Sequence, residues 1–236
     1  MSSTKRFTIA ALGLALLCML GPAASAQEPP QDRVAALKQW LVQSKAQLKK
    51  YHWVQTTVVS YKGEQKSSKE EQCYYGADGT LQKVPLTAPP EEKEKRGLRG
   101  KIIANKKEEL TDSMKEAVAL VKTYVPPSPD KIQACRDAGN MSITPLAGGK
   151  TVQLSFRSYE KPGDTLSVTM DTTTNRLLGI KVDTYMQQDQ KDAVTLNVDI
   201  GTLPDGTGYA SQIALDNQAA KLDVNVTNSG YYKPFN

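Results

Sequence analysis

Four aspartates in the last third of the chain are the residues that come closest to a catalytic set. Asp183, Asp189, Asp192 and Asp199 lie close together in sequence. A glycosidase needs two carboxyl groups about 5–10 Å apart, one as acid and one as base or nucleophile. Asp183 and Asp199, however, fall on the polar faces of predicted strands, where solvated carboxylates are the ordinary expectation. A carboxylate-dependent hydrolase is therefore the least favoured function.

The single histidine, His52, stands beside Trp53 where a predicted helix gives way to a strand. A serine hydrolase of the common kind places its nucleophile in a Gly-x-Ser-x-Gly turn, which this sequence lacks. It also lacks a Gly-x-x-x-x-Gly-Lys phosphate loop and a Gly-x-Gly-x-x-Gly turn. No His, Cys or carboxylate group has metal-ligand spacing. We expect a protein that is not an enzyme, with no metal and no cofactor, and a structural role for His52.

Two cysteines remain after the first segment of the chain, Cys73 and Cys135. An even cysteine count in an oxidising compartment favours a disulfide. The alternative is two separate buried thiols, because sequence separation says nothing about distance in space. We predict a bridge between them.

Residues 1–26 have the three parts of a secretory signal peptide. Lys5 and Arg6 precede an apolar run from Phe7 to Leu20, and Ala24-Ser25-Ala26 supplies a cleavage site near Ala26. The run is shorter than the roughly 20 residues that span a bilayer, and we expect no transmembrane segment in the mature chain. The protein is predicted to be periplasmic or secreted.

Charge and length bound the mature chain, residues 27–236. Subtracting Lys5 and Arg6 from the formal charge of +5 leaves +3. That is too mild for a nucleic-acid binder, which concentrates basic charge on one face. The length suits a single domain, with a charged loop over residues 88–100 and a helical insert over residues 101–139.

Apolar residues at three- and four-residue spacing predict helices over about Asp32–Lys50 and Lys107–Val125. Pro126-Pro127 ends the second, because proline lacks the backbone donor. Ser128-Pro129 then opens a short third helix to about Ala138, capped by Gly139.

Alternating apolar and polar residues predict strands over most of the remaining chain. Three come early, at about His52–Tyr61, Ser67–Tyr75 and Leu81–Leu86, and Asp78-Gly79 joins the last two as a hairpin. Later strands centre on residues 152–156, 166–170, 178–182, 194–200, 209–215 and 222–226. Short turns between them require antiparallel pairing. The predicted fold class is α+β: a curved antiparallel sheet or incomplete β-barrel wrapped around two or three helices.

This order of elements resembles the periplasmic lipoprotein-carrier family, the LolA/LolB-like fold. The local similarities are the aromatic strand opening Tyr51-His52-Trp53 and the hairpin Tyr74-Tyr75…Asp78-Gly79. The chain also looks like uncharacterised secreted bacterial proteins that have the same Asp-Gly and Pro-Gly-Asp turns. The resemblance implies an apolar cavity between sheet and helices that holds acyl chains.

The leading hypothesis is a non-catalytic exported binding protein whose partner is a lipid or the acyl part of a lipoprotein. Its competitor is a closed-core module that interacts with a periplasmic protein through its polar face or its charged loop. The candidate cavity residues are the predicted inward rows of two strands and one helix: Val152, Leu154, Phe156, Leu178, Ile180, Val182, Met114 and Val118.

Overall fold

The computed structural model describes residues 30–86, 112, 115–120, 122–146, 148–186 and 192–234. The predicted signal peptide, the charged loop and most of the second predicted helix lie outside these residues. Helix α1 spans Pro30–Leu48, residues 115–120 and 122–124 are helical (α2), and α3 spans Pro129–Asp137. No helix within the described ranges is long and apolar enough to cross a membrane.

Over the described residues, ten antiparallel strands form one sheet in the order β3-β2-β1-β10-β9-β8-β7-β6-β5-β4. Their bounds in chain order are β1 His52–Tyr61, β2 Glu64–Tyr75, β3 Leu81–Pro85, β4 Met141–Pro145, β5 Thr151–Arg157, β6 Thr165–Asp171, β7 Leu177–Tyr185, β8 Ala193–Thr202, β9 Gly208–Asn217 and β10 Leu222–Tyr232.

The topology is two meanders joined at one seam. Strands β4 to β10 follow one another across the sheet, and β10 then pairs with β1, which carries β2 and β3. Strands β3 and β4 are the two edges and do not pair with each other, so the sheet does not close. The predicted α+β class with a curved, incomplete barrel is confirmed, and the turn at Lys62-Gly63 has the positive φ angles that tight hairpins require.

The core lies on the face of the sheet that the helices cover. Paired residues share a face, and one row of pairs crosses seven strands through buried apolar side chains. That row is Phe156, Leu166, Val182, Leu196, Leu215, Val224 and Val59.

Helix α1 closes this core from above. Its predicted stripe is confirmed, because Val34, Leu37 and Leu41 are buried. Ser44, on the same stripe, accepts a 3.3 Å hydrogen bond from the backbone N–H of Gly208 at the start of β9. This contact ties the last turns of α1 to one end of the sheet.

Candidate functional site

Four of the eight predicted cavity residues belong to a closed core. Val152, Leu154, Phe156 and Val182 are each at most 2% exposed. They pack against neighbouring strands and the helices in a continuous apolar cluster. Ile180, which is 5% exposed, is the predicted residue that lines a cleft.

Two further candidates lie at the surface. Leu178 is 40% exposed and Val118 is 41% exposed. Strict alternation placed Leu178 inward with Ile180, but β7 carries a bulge at this point: Thr169 pairs with Gly179, and Met170 pairs with Leu177. The extra residue reverses the alternation, so Leu177 is buried and Leu178 faces outward. Met114 lies outside the described residues.

A cleft of about 290 Å³ lies between the second half of α1 and the ends of β7, β8 and β9. The segment Val125-Pro126-Pro127 forms a third wall. Small-molecule sites are mostly apolar, with a few polar groups that orient the ligand, and this cleft has that composition. Its lining residues are Trp40, Leu41, Ser44, Lys45, Leu48, Tyr75, Val125, Pro126, Pro127, Leu177, Ile180, Val198, Ile200, Gly208, Tyr209 and Ala210.

The Trp40 side chain forms the wall of this cleft that contacts Gly208. A Cβ atom built on Gly208 would lie 1.8 Å from Cζ2 of the Trp40 indole, so only glycine allows the ring to lie against the strand. Trp40 and Ser44 also border a second cleft of about 570 Å³, which extends to Asp205 and Thr207. The indole therefore stands between two open volumes.

An aromatic cluster borders the cleft on the side of β1, β2 and β10. Tyr75 and Tyr209 line the cleft itself. Tyr231 lies 4.4 Å from Tyr209 between ring centroids and stacks on Trp53 at 5.5 Å, and Tyr75 lies 5.9 Å from Trp53. Burial raises the pKa of Tyr75 and of Tyr231. These rings form an apolar aromatic surface beside the cleft.

Two polar anchors hold this cluster. Asn228, buried in β10, accepts hydrogen bonds from Trp53 Nε1 at 3.1 Å and from Gln55 at 2.9 Å. Its own amide donates to the carbonyl of Ala210 at 2.9 Å, which joins the cluster to the cleft wall. Indole N–H groups need such a partner when they are buried.

Asp205, in the turn before β9, is the second anchor. Its carboxylate accepts from the Tyr51 hydroxyl at 2.6 Å and from Lys233 at 2.9 Å. The hydrogen bonds from Tyr51, Lys233 and Thr207 hold the pKa of Asp205 well below its usual value. The ion pair joins the end of α1, the turn before β9 and the end of the chain.

A buried carboxylate fixes the proline wall of the cleft. Asp164 is 1% exposed and accepts backbone N–H groups of Tyr159, Glu160 and Lys161 at 2.6–3.0 Å. It also accepts a 2.6 Å hydrogen bond from the hydroxyl of Tyr124, the residue just before the wall. A carboxylate with this many donors is fully satisfied inside a core. Its role is to hold Tyr124 and the wall against the sheet.

A larger cleft of about 750 Å³ lies at the other end of β8 and β9. Its lining includes the acidic residues Glu116 and Asp192. Its lining is more polar than that of the smaller cleft.

The predicted disulfide is not formed. Cys73 and Cys135 are separate buried thiols. Cys73 lies on β2 opposite Trp53, whereas Cys135 lies on α3, which packs against β5 on the far side of the sheet order. Burial raises the pKa of both thiols, and each sulfur is near a backbone carbonyl, of Glu71 and of Arg157 respectively.

Asp183 and Asp199 are too far apart to act as a glycosidase pair, and Asp189 lies outside the described residues. Asp199 pairs with Gly179, four residues along β7 from Asp183. At about 3.3 Å per residue this separates them by about 13 Å along the strand, beyond the spacing of a glycosidase pair. Asp183 instead forms a 3.0 Å ion pair with Lys181.

His52 is part of an aromatic ladder on the outer face. Its ring stacks on Tyr74 at 4.9 Å and lies 5.4 Å from Tyr232. Within the described ranges, no three His, Cys, Asp or Glu side chains come together in a way that would bind a metal.

Sequence reasoning missed the residues that define the cleft. Trp40, Gly208 and Tyr209 carry no motif. A signal for Trp40 was nevertheless present, because it lies three residues after Leu37 and four before Ser44, next to the apolar stripe of α1.

No protein-family model matches the chain. No curated protein matches it. The solved structures that are similar to it include the following three. A DUF1329 family protein from Desulfovibrio piger has a TM-score of 0.39 at 9% identity, covering 85% of this chain and 93% of that one. A LolA superfamily protein from Nitrosomonas europaea has a TM-score of 0.38 at 6% identity, covering 84% and 94%.

The third is an outer membrane lipoprotein-sorting protein domain from Vibrio parahaemolyticus, with a TM-score of 0.35 at 10% identity, covering 81% of this chain and 90% of that one. Two of these three structures bear names from the group that the order of elements resembles, a LolA superfamily protein and a lipoprotein-sorting domain.

Proposed function

We propose that this chain is an exported, non-catalytic binding protein that holds the apolar part of a lipid in the cleft between α1 and the sheet. The observation that carries the proposal is the cleft's lining, which is mostly apolar although the cleft opens to the surface. Closed cores leave few voids larger than a water molecule. An open apolar volume next to a well-packed core is therefore typical of a ligand site.

The packing and hydrogen bonding that hold the walls of the cleft in place support the same function. Trp40 lies on a glycine, Tyr209 packs against the tilted ring of Tyr231, and the proline wall is braced by the buried Asp164. Preformed walls lower the cost of ordering side chains on binding. A surface formed by chance would not need this support from three separate parts of the chain.

The proposal includes export and a single mature domain over residues 27–236. Both rest on the sequence of residues 1–26 and on the meander that runs from β4 to β10 and continues to β1. The lipid or acylated partner would be met outside the cytoplasm.

The test uses two variants of one strand. Ala210 lines the cleft, whereas Ala214 lies on the outer face between Asn197 and Asn225. Ala210→Phe fills the cleft, and Ala214→Phe makes the same change on the other face. The mature protein, purified without detergent and delipidated, is titrated with N-phenyl-naphthylamine, an uncharged probe that fluoresces in apolar surroundings.

We expect binding to the unchanged protein, a loss of at least about tenfold in affinity for Ala210→Phe, and unchanged binding for Ala214→Phe. Mass spectrometry of an organic extract of the protein before delipidation should find a co-purifying lipid. Failure of the unchanged protein to bind the probe, together with an empty extract, would refute the function.

A second candidate function, docking of a protein partner, is supported by edge strand β3. Leu81, Val84 and Leu86 at this edge are each at least 43% exposed. Exposed edges offer unpaired backbone groups to another strand. Replacing Val84 with Lys should block such pairing and leave lipid binding unchanged, as measured by the titration above and by light scattering.

A further inference from the structure

We infer that the cleft selects a single-chain amphiphile with one negative charge, of the fatty-acid class, and that Lys45 recognises its carboxylate. The inference rests on the proposed function, since it concerns the same cleft. It specifies the chemistry of the ligand at both ends.

The first observation is charge. Among the described residues, Lys45 is the one charged side chain in the lining of the cleft. It lies in the last turn of α1 and is exposed. Within the described ranges it makes no ion pair and no hydrogen bond. The nearby Lys233, by contrast, is already paired with Asp205. A free cation at the margin of an apolar cleft complements an anionic head group.

The helix end offers a competing explanation for a lysine at this position. Cations stabilise the C-terminus of a helix through its dipole. That effect would act equally on Lys49, which follows α1 directly and is absent from the cleft lining. Lys49 is therefore the matched control: it has the same charge and the same helix end but does not contact the cleft.

The second observation is size. The cleft holds about 290 Å³, at the lower end of the range of about 300–1,000 Å³ for small-molecule sites. Such a volume suits one alkyl chain better than the two or three chains of a diacyl or triacyl lipid. One cation and one chain together define a monoanionic, single-chain ligand.

The experiment compares hexadecanoate with hexadecanol, which have the same chain length and differ in charge. Each compound is titrated into the mature protein with bound N-phenyl-naphthylamine, at low and at high salt, and displacement of the probe is measured. We expect hexadecanoate to bind about tenfold more tightly at low salt, equivalent to about 1.4 kcal/mol. The preference should shrink as salt screens the pair. Lys45→Met should abolish the preference, Lys45→Arg should retain it, and Lys49→Met should leave it unchanged.

The outcomes separate the two proposals. Equal affinity for hexadecanoate and hexadecanol would overturn the inference and leave the apolar site intact. Loss of the preference in Lys49→Met as strongly as in Lys45→Met would also overturn it, because the charge would then act through the helix end. Displacement by neither ligand, with no probe binding, would refute both. Thermal unfolding of each variant shows that it is folded.

Discussion

The close contact between Trp40 and Gly208 predicts that a larger residue at position 208 destabilises the protein, by an amount that follows from the distances. An alanine at position 208 would place its Cβ 1.8 Å from Cζ2 and 2.5 Å from Cη2 of the indole, where ordinary contacts lie at 3.4–4 Å. The ring must therefore retreat by about 2 Å. Gly208 is not in the left-handed region of φ, so alanine adds a steric clash and no backbone strain.

The expected cost of Gly208→Ala is about 1–3 kcal/mol of unfolding free energy, the usual range for over-packing. Trp40 is half-buried and borders the core, and its retreat also displaces the wall shared by the two clefts. Affinity for the uncharged probe should fall by about tenfold. The backbone N–H of residue 208 still reaches Ser44, so the fold should persist.

Fluorescence measures this movement directly. The chain has two tryptophans, and a Trp53→Phe background leaves Trp40 alone. In that background Gly208→Ala should shift the emission to longer wavelength and increase quenching by acrylamide, because the indole becomes more hydrated. Gly179→Ala is the control: its Cβ would meet the Val198 carbonyl at 3.3 Å and no tryptophan. Unchanged emission, stability and probe affinity in Gly208→Ala would refute the position of Trp40.

Three other predictions follow from the same structure. Val182→Ala, in the closed core, should lose roughly 1–4 kcal/mol of stability and keep its affinity for the probe. Ile180→Ala, in the cleft wall, should lose affinity with a smaller loss of stability. Denaturant unfolding measures the stability of both variants, and probe titration measures their affinity. Burial raises the pKa of Tyr159 to about 12. The resulting stabilisation of the folded state, about 2–3 kcal/mol, is complete below about pH 10 and is lost as the pH rises toward 12. In a pH titration, tyrosinate absorbance should therefore show a transition at high pH that coincides with unfolding. In Asp164→Asn the side-chain amide N–H group would face the N–H and O–H groups that now donate to the carboxylate. We expect a loss of about 2–4 kcal/mol in the free energy of unfolding. The pKa of Tyr124 should fall, because its hydroxyl no longer donates to a carboxylate.

Periodicity predicted most of the secondary structure because local chemistry determines it. Helix α1 begins and ends within two residues of the predicted bounds, and β1 spans His52–Tyr61 as predicted. The hairpin at Asp78-Gly79 formed because that dipeptide favours the turn. Strand β4 was missed, since Met141–Pro145 is a five-residue edge strand that ends in a proline and has little alternation.

Features that depend on contacts between segments far apart in the sequence could not be predicted from local patterns. The proposed bridge between Cys73 and Cys135 required knowledge of the strand order, which places β2 and β5 on opposite sides of the β1–β10 seam. The burial of Asp164 required knowledge of which helix residue would face it. Neither has a local signature, because each depends on which elements become neighbours.

The position of the cleft depends on bulges, which no hydrophobic pattern reveals. Extra residues interrupt the pairing at Leu178 in β7, at Ser211 in β9 and near Gly230 in β10. The first two lie at the level of the cleft, since Gly179 pairs with Asp199 and Asp199 with Gln212. Bulges bend a strand and increase its twist.

At the level of these bulges the cleft lies between the sheet and α1, while the next rows toward Val182 remain packed. This explains why neighbouring residues of one predicted row have different roles: Val182 belongs to the core, Ile180 to the cleft wall, and Leu178 to the surface. The closed core and the cavity, which the sequence offered as alternatives, are both present along the same strand. The bulges determine where one ends and the other begins.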